Sequence, residues 1–358
     1  MTVQSPSVLI AAGGTGGHVI PALEVARELR ERGANVVWIG TRRGLEAQLV
    51  PAAGISVEWL SVEGIRGKSA LSLLLVPVNL ARALWQTLFI FSRQKPHAVL
   101  GMGGFVSGPS GLVAWLLRCP LVLHEQNAVP GFTNKLLKPL ATRALQAMPS
   151  ALGANSETVG NPVRCEIAQQ DIPTERFKNR DGALRVLVIG GSQGARALNE
   201  IVPQAVALST IEIEVHHQCG TSNRMATESA YAGITGATVR VKEFIDDMAH
   251  EYAWADLVVC RAGAMTVAEI AAVGVAAIFF PFTNAVDDHQ TANAQKLVDT
   301  DAAILRQENE LTPEWLKDTI DSFANDRIEL IRMAGNARAQ AKVDAAEIVA
   351  NHILEVAR

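Results

Sequence analysis

Val8-Leu-Ile-Ala-Ala12 runs straight into Gly13-Gly-Thr-Gly-Gly-His18, and far downstream Arg185-Val-Leu-Val-Ile189 runs into Gly190-Gly-Ser-Gln-Gly-Ala-Arg196. A short apolar run ended by glycine predicts a buried strand, and helical spacing resumes after each loop. Bare glycine lets backbone N–H groups approach an oxygen-rich group, and a helix start adds partial positive charge there. Because the pattern occurs twice, the expected fold is α/β with two nucleotide-type halves facing one another across a cleft.

Strand-like and helix-like segments alternate on either side of these loops, the mark of parallel βαβ architecture. In the first half, residues 36–40, 56–60, 98–101 and 121–124 read as further strands. In the second, 213–218, 238–241, 256–260 and 276–280 repeat the scheme. Val159-Gly-Asn-Pro-Val-Arg164 cannot continue a helix and reads as the hinge, which sets the expected domains at 1–163 and 164–341. Residues 328–358 read as one or two helices with no strand after them; the last, 342–358, is expected to rejoin the first half.

A chain of 358 residues suits roughly two domains of about 150 residues each. Aliphatic residues dominate and aromatics are few, as in a globular protein. The cysteines Cys119, Cys165, Cys219 and Cys260 form no CxxC pair and read as reduced thiols rather than a disulfide frame or zinc site. No basic run followed by an apolar core and cleavage site opens the sequence, so no secretion signal is expected. The net charge of −4 divides unevenly: residues 1–163 carry 14 Lys and Arg against 8 Asp and Glu, and the remainder carries 18 against 28. A basic first half suits anionic headgroups or a phosphorylated substrate. No nucleic-acid partner is expected.

Residues 70–92 (ALSLLLVPVNLARALWQTLFIFS) could reach across a bilayer, at roughly 1.5 Å per residue. Pro77, Asn79, Arg82 and Gln86 interrupt the run, and an arginine near the middle of a lone spanning helix is costly. The stretch therefore reads as a helix dipping one face into the headgroup region, with a buried core helix as the alternative.

The loop at 13–18 is not a dinucleotide fingerprint, since the third glycine of GxGxxG falls at Val19, and no GxxxxGK[ST] loop is present. His18, at a helix start, is a candidate proton acceptor. Ser192, Gln193 and Arg196 add donors and charge to the second loop. Thr266-x-x-Glu269 has the spacing of a capping box, with Glu269 also able to accept two sugar hydroxyls. His124-Glu-Gln-Asn127 ends a strand where ligands bind in parallel sheets, and Met102-Gly-Gly-Phe-Val-Ser-Gly108 is a second glycine-rich strand top. Asp287-Asp-His-Gln290 and Asp299-Thr-Asp301 look like metal motifs but read better as a helix start and a turn. An NADP-dependent oxidoreductase gripping a 2′-phosphate with Arg42 and Arg43 is the rival from another class. A sugar-nucleotide 2-epimerase is the nearer one.

Nine stretches in order carry a resemblance: GGTGGHVIPA, GIRGK, LGMGGFVSGPSG, LHEQNAVPGFTNK, VGNPVR, VIGGSQGA, EFIDDM, CRAGAMTVAEI and DDHQTANA. Through them the chain resembles the MurG family of peptidoglycan N-acetylglucosaminyltransferases over nearly its whole length. The resemblance implies the GT-B fold of two Rossmann-like domains, acceptor and membrane in the first and UDP-GlcNAc in the second. The implied reaction is inverting transfer of GlcNAc to the 4-hydroxyl of MurNAc on an undecaprenyl-pyrophosphoryl-pentapeptide acceptor, without cofactor or metal. It also implies a peripheral place on the cytoplasmic face of the bacterial inner membrane and cell-wall synthesis and division proteins as partners. Residue by residue, Thr15, Gly16 and Gly17 approach a phosphate, while Asn127, Arg164, Ser192 and Gln290 contact the donor. Ile245 reads uracil through its backbone, and Ala264, Met265, Thr266, Val267, Ala268 and Glu269 hold pyrophosphate and ribose. His18 and Glu125 are the candidates for the base. Ala276 stands where the family often has proline, and the loop 283–288 varies among such proteins, which loosens the placement of Gln290.

Overall fold

The computed structural model describes residues 5–61, 76–149, 151–178, 180–191, 194–282 and 288–357. The chain divides into two compact units, Met1–Arg164 with Lys342–Arg358, and Cys165–Ala341.

The first unit is built on a seven-stranded parallel sheet of β1 (Ser7–Ala11), β2 (Asn35–Gly40), β3 (Ser56–Trp59), β4 (Ala98–Gly101), β5 (Leu121–Glu125), β6 (Arg143–Gln146) and β7 (Glu157–Thr158). The strand order is β3-β2-β1-β4-β5-β6-β7, so the winding reverses between β1 and β4. Ligands of open parallel sheets bind at the carboxyl ends of the strands at such a reversal. The loops that start at Gly13 and Met102 therefore share the favoured end.

Val8, Leu9, Ile10 and Ala11 are wholly buried because both faces of the sheet are covered. Val8, Ile10 and Trp38 face α1 (Gly16–Glu31), with Val25 and Leu29 packed over them. Leu9, Ile39 and Val99 face the other way, among α3 (Val76–Gln94), α4 (Ser107–Leu116) and α5 (Phe132–Leu137), while Val50 of α2 (Glu46–Ala52) packs on the α1 side. Each large aliphatic side chain so covered contributes roughly 1.5–3 kcal/mol.

Within α3, Ala83, Thr87, Ile90 and Phe91 are buried, whereas Val78, Leu80, Trp85 and Phe89 are exposed, Trp85 at 75%. No helix among the described residues is long and apolar enough to cross a membrane. Residues 70–75 lie outside the described residues.

The second unit starts with the short helices α6 (Cys165–Ala168) and α7 (Pro173–Arg176). Its six-stranded sheet comprises β8 (Leu184–Ile189), β9 (Ile213–Gln218), β10 (Ala237–Lys242), β11 (Leu257–Cys260), β12 (Ala276–Phe279) and β13 (Ala303–Leu305). They are ordered β10-β9-β8-β11-β12-β13, and all pairs are parallel. The reversal falls between β8 and β11, whose ends carry the Gly190 loop and Arg261-Ala-Gly263. Helices α8 (Arg196–Leu208), α9 (Arg224–Tyr231), α10 (Met248–Trp254), α11 (Ala264–Val273), α12 (His289–Asp299), α13 (Pro313–Asn325) and α14 (Arg327–Ala339) cover it. Leu198, Val202, Leu316 and Ile320 close one core against Val186, Val188 and Val259. The final helix, α15 (Ala345–Val356), belongs to the first unit, where Val349 and Ile353 join the core under α1.

Helix α1 begins at Gly16, which puts His18 in its first turn, at the helix start expected from the sequence. Two elements differ from the sequence reading. Strands β6 and β7 were not expected, because Ala144 and Leu145 are the sole apolar pair in β6 and β7 is a two-residue edge.

Candidate active site

In the first unit the glycine loop is held from below by a carboxylate. Glu46 is wholly buried at the start of α2. Its Oε2 accepts the Gly14 amide at 2.9 Å, and its Oε1 accepts the Thr41 amide at 2.9 Å and the Thr41 hydroxyl at 2.8 Å. Gly13, Gly40 and Gly44 make room for this side chain: a Cβ on Gly13 would lie 2.7 Å from Oε1, one on Gly40 2.7 Å from Cγ, and one on Gly44 would collide with the carboxylate. The loop from Met102 packs on top. Gly104 has φ +79°, and a Cβ there would run into the Gly13 carbonyl.

Thr15 is exposed in extended conformation at the N-cap of α1, with no side-chain cap bond. Gly16 and Gly17 follow in the first turn, where an α-helix supplies no acceptor for its leading amides. These N–H groups and the helix dipole favour an anion beside Thr15. His18 is half-buried, with Nδ1 3.1 Å from Gln126 Oε1.

Strand β5 delivers His124 and Glu125, and Gln126 follows at once, all three buried. Glu125 accepts four hydrogen bonds: Oε1 from the Asn127 amide at 3.0 Å and Asn127 Nδ2 at 3.2 Å, Oε2 from the Gly131 amide at 3.0 Å and Asn134 Nδ2 at 2.9 Å. It clamps the turn from β5 into α5 and orients Asn127, which is half-buried. Asn161 Nδ2 donates to the Gln126 carbonyl at 3.1 Å, so the segment before Arg164 is tied to the same strand end. Arg164 itself is half-buried at the limit of the first unit.

In the second unit the loop after β8 is equally tight. Gly191 and Gly194 have φ +80° and +77°, and a Cβ on Gly194 would strike the Cys219 carbonyl. Ser192 and Gln193 lie outside the described residues. Arg196, read from the sequence as a charge for the loop's ligand, is exposed and pairs with Glu200 at 2.7 Å, one helical turn on.

After β11, helix α11 starts at Ala264 with Gly263 as N-cap. This corrects the capping-box reading: Thr266 and Glu269 lie inside the helix, because the backbone at Gly263 already takes the extended cap conformation. Ala264, Met265 and Thr266 occupy the first turn, Val267 donates to the Gly263 carbonyl at 2.9 Å, and Ala268 is half-buried beyond it. Glu269 is buried, with Oε2 accepting from the Tyr252 hydroxyl at 3.1 Å. Ile245 is buried three residues beyond the end of β10. Gln290 Oε1 accepts the Phe282 amide at 3.0 Å. Asp287 lies outside the described residues; Asp299 accepts from Gln295 at 2.7 Å and Asp301 sits at φ +50° just past α12, as a turn requires.

Residues 8–146 match the Glycosyltransferase family 28 N-terminal domain, and residues 185–349 match the Glycosyltransferase family 28 C-terminal domain. A transferase of Nitrosococcus oceani is 52% identical over 98% of this chain and 98% of its own length. The chain belongs to glycosyltransferase family 28. The Nitrosococcus protein is named UDP-N-acetylglucosamine--N-acetylmuramyl-(pentapeptide) pyrophosphoryl-undecaprenol N-acetylglucosamine transferase, and so is one of Cupriavidus metallidurans, 52% identical over 96% of both chains. The crystal structure of Acinetobacter baumannii MurG superposes with a TM-score of 0.85 at 38% identity, covering 98% of this chain and 100% of that one. A UDP-GlcNAc 2-epimerase of Neisseria meningitidis shares the fold alone, with a TM-score of 0.68 at 12% identity over 98% of each chain or more.

Within this family 28 chain the two strand tops gather most of the residues expected from the sequence. Thr15, Gly16, Gly17, His18, Glu125 and Asn127 lie about the ends of β1 and β5. Ala264 to Glu269 follow β11, and Gln290 opens α12. Sequence reading missed Glu46, whose GLEAQ context looks like an ordinary helix surface. It also missed Asn293, fully buried and donating to the Ala262 carbonyl at 3.2 Å beneath the α11 turn.

Proposed function

We propose that this family 28 chain moves GlcNAc from UDP-GlcNAc to the 4-hydroxyl of the MurNAc unit of an undecaprenyl-pyrophosphoryl-pentapeptide acceptor, with inversion at the anomeric carbon. The observation that carries this is the end-to-end identity of 52% to transferases named for that reaction. The glycine-rich strand tops and the half-buried ring of His18 fit the chemistry.

His18 Nε2 takes the proton of the acceptor hydroxyl as its oxygen attacks the anomeric carbon from the face opposite the nucleotide. Glu125 is not assigned this step, because its oxygens already accept four bonds. The second unit binds the donor. As UDP departs, charge grows on its β-phosphate, and the amides of the loop from Gly190 and of the first turn of α11 stabilise it. One such donor is worth roughly 3 kcal/mol. Glu269 accepts the ribose hydroxyls, Ile245 offers its backbone to uracil, and Asn127, Arg164, Ser192 and Gln290 contact the donor.

The acceptor's lipid keeps it in the bilayer, so the protein works at a membrane surface. We assign that contact to the exposed stripe of Val78, Trp85 and Phe89 on α3, with Arg82 between them for anionic headgroups. The working place is the cytoplasmic face of the bacterial inner membrane.

The test is incubation with UDP-GlcNAc and a short-tailed lipid-linked MurNAc acceptor, in the presence of EDTA. A β-1,4-linked disaccharide product and stoichiometric UDP, both lost in His18→Ala, are expected. Conversion of UDP-GlcNAc to its 2-epimer without acceptor would replace this reading with the epimerase one.

A further inference from the structure

Three polar groups beneath His18 can be wired in one way. His124 is fully buried, and burial pushes its imidazole down to about 4, so the ring is neutral and carries a single proton. Nε2 of that ring lies 2.8 Å from the Gly160 carbonyl oxygen, which can only accept. The proton is therefore on Nε2, and Nδ1 presents a lone pair. Gln126 Nε2 sits 3.3 Å from that lone pair and donates to it. Donating there turns the carboxamide oxygen toward His18, 3.1 Å from Nδ1. An oxygen can only accept, so His18 Nδ1 carries the proton.

The opposite wiring fails. Turning the carboxamide over would set its oxygen against the His124 Nδ1 lone pair. Moving the His124 proton to Nδ1 would relieve that clash but leave Nε2 and the Gly160 carbonyl lone pair to lone pair. Amide orientation is decided by such networks, and here the network ends on a main-chain carbonyl whose role is fixed. The Gln126 backbone is held too, since its carbonyl accepts from Asn161 Nδ2 at 3.1 Å. The His18 ring in turn lies against the bare backbone of Gly103, where a Cβ would come 2.9 Å from Cε1.

We infer that Gln126 is a positioning residue for the transfer: held by His124 and the Gly160 carbonyl, it fixes His18 as the Nδ1–H tautomer and leaves the Nε2 lone pair for the acceptor hydroxyl. This rests on the reading of His18 as the base. A free imidazole divides its proton between both nitrogens; here the second nitrogen is kept open, as a carboxylate does for the histidine of a hydrolytic triad.

The wiring is read directly from long-range proton–nitrogen spectra of the full-length protein labelled with 15N-histidine, with His18 assigned by its loss in His18→Ala. The wild type is expected to show a protonated Nδ1 and a bare Nε2 at neutral pH; a proton on Nε2 overturns the inference. Gln126→Met, similar in volume and unable to accept, is expected to lower kcat about a hundredfold while KM for both substrates stays within about twofold. A kcat for Gln126→Met equal to wild type overturns the positioning role. Should Gln126→Met fail to fold, the wild-type spectrum decides alone. Full activity in His18→Ala overturns the role through the base reading, and a wild-type spectrum with Nδ1 protonated tells that failure from a failure of the wiring.

Discussion

Glu46 and Gly14 stand 32 positions apart in sequence, yet the carboxylate of the first accepts the amide of the second at 2.9 Å with no solvent reaching it. The same carboxylate takes both donors of Thr41, so one side chain joins the end of β1 to the end of β2. Removing it leaves three donors without an acceptor. Glu46→Ala is expected to lower unfolding free energy by about 3 kcal/mol in urea titrations, with kcat/KM falling as the loop before His18 loosens. Unchanged stability would mean that water replaces the carboxylate at no cost.

Glu125 and a general base make opposite demands on the same substitution. In Glu125→Gln one oxygen becomes an NH2 group that must face two donors, Asn127 N with Nδ2, or Gly131 N with Asn134 Nδ2. A stability loss of about 2–4 kcal/mol and a raised KM for UDP-GlcNAc are expected, with kcat reduced tenfold or less. Full stability with kcat abolished would restore Glu125 as the base.

The two strand–loop–helix junctions were legible in the sequence because glycine punctuates apolar runs there, and so was the parallel α/β architecture. What escaped has a physical pattern. Glu46 serves through contacts with glycines far away in sequence, and no local spacing announces a buried carboxylate. The start of α11 was misplaced because Gly263 caps with backbone alone, while Thr266 and Glu269 imitate the side-chain motif one turn later. Gln126 stood in view within His124-Glu-Gln-Asn127, but the sequence says nothing of which neighbours a carboxamide joins.

The outer face of α3 combines exposed Trp85 and Phe89 with a buried face of Ala83, Thr87, Ile90 and Phe91. Each aromatic inserted at a bilayer surface contributes on the order of 1.5–3 kcal/mol. The double variant Trp85→Asp, Phe89→Asp is therefore expected to lose tenfold or more in co-sedimentation with anionic vesicles. Turnover of a short-tailed acceptor should be unaffected, since neither residue is assigned a contact with the donor or the acceptor sugar. Equal sedimentation of variant and wild type would remove α3 from the membrane contact.

Acid should destabilise both units through buried neutral imidazoles. His124 in the first and His217 in the second are each pushed down to about 4 by burial, against 6.5 in the unfolded chain. Below pH 6.5 the unfolded chain takes up protons that the folded one refuses, so stability is complete above that value and drains as pH falls toward 4. Each ring then costs about 2 kcal/mol at pH 5 and on the order of 3 kcal/mol below pH 4. His217 also bridges the Tyr231 hydroxyl at 2.9 Å and Asn199 Oδ1 at 3.0 Å, so His217→Gln should be weaker than wild type at pH 7.5. Its stability should nevertheless fall about 2 kcal/mol less between pH 7.5 and pH 5, as denaturant titrations at the two pH values would show. A variant with the full wild-type pH dependence would mean that His217 titrates alike in the folded and unfolded chain.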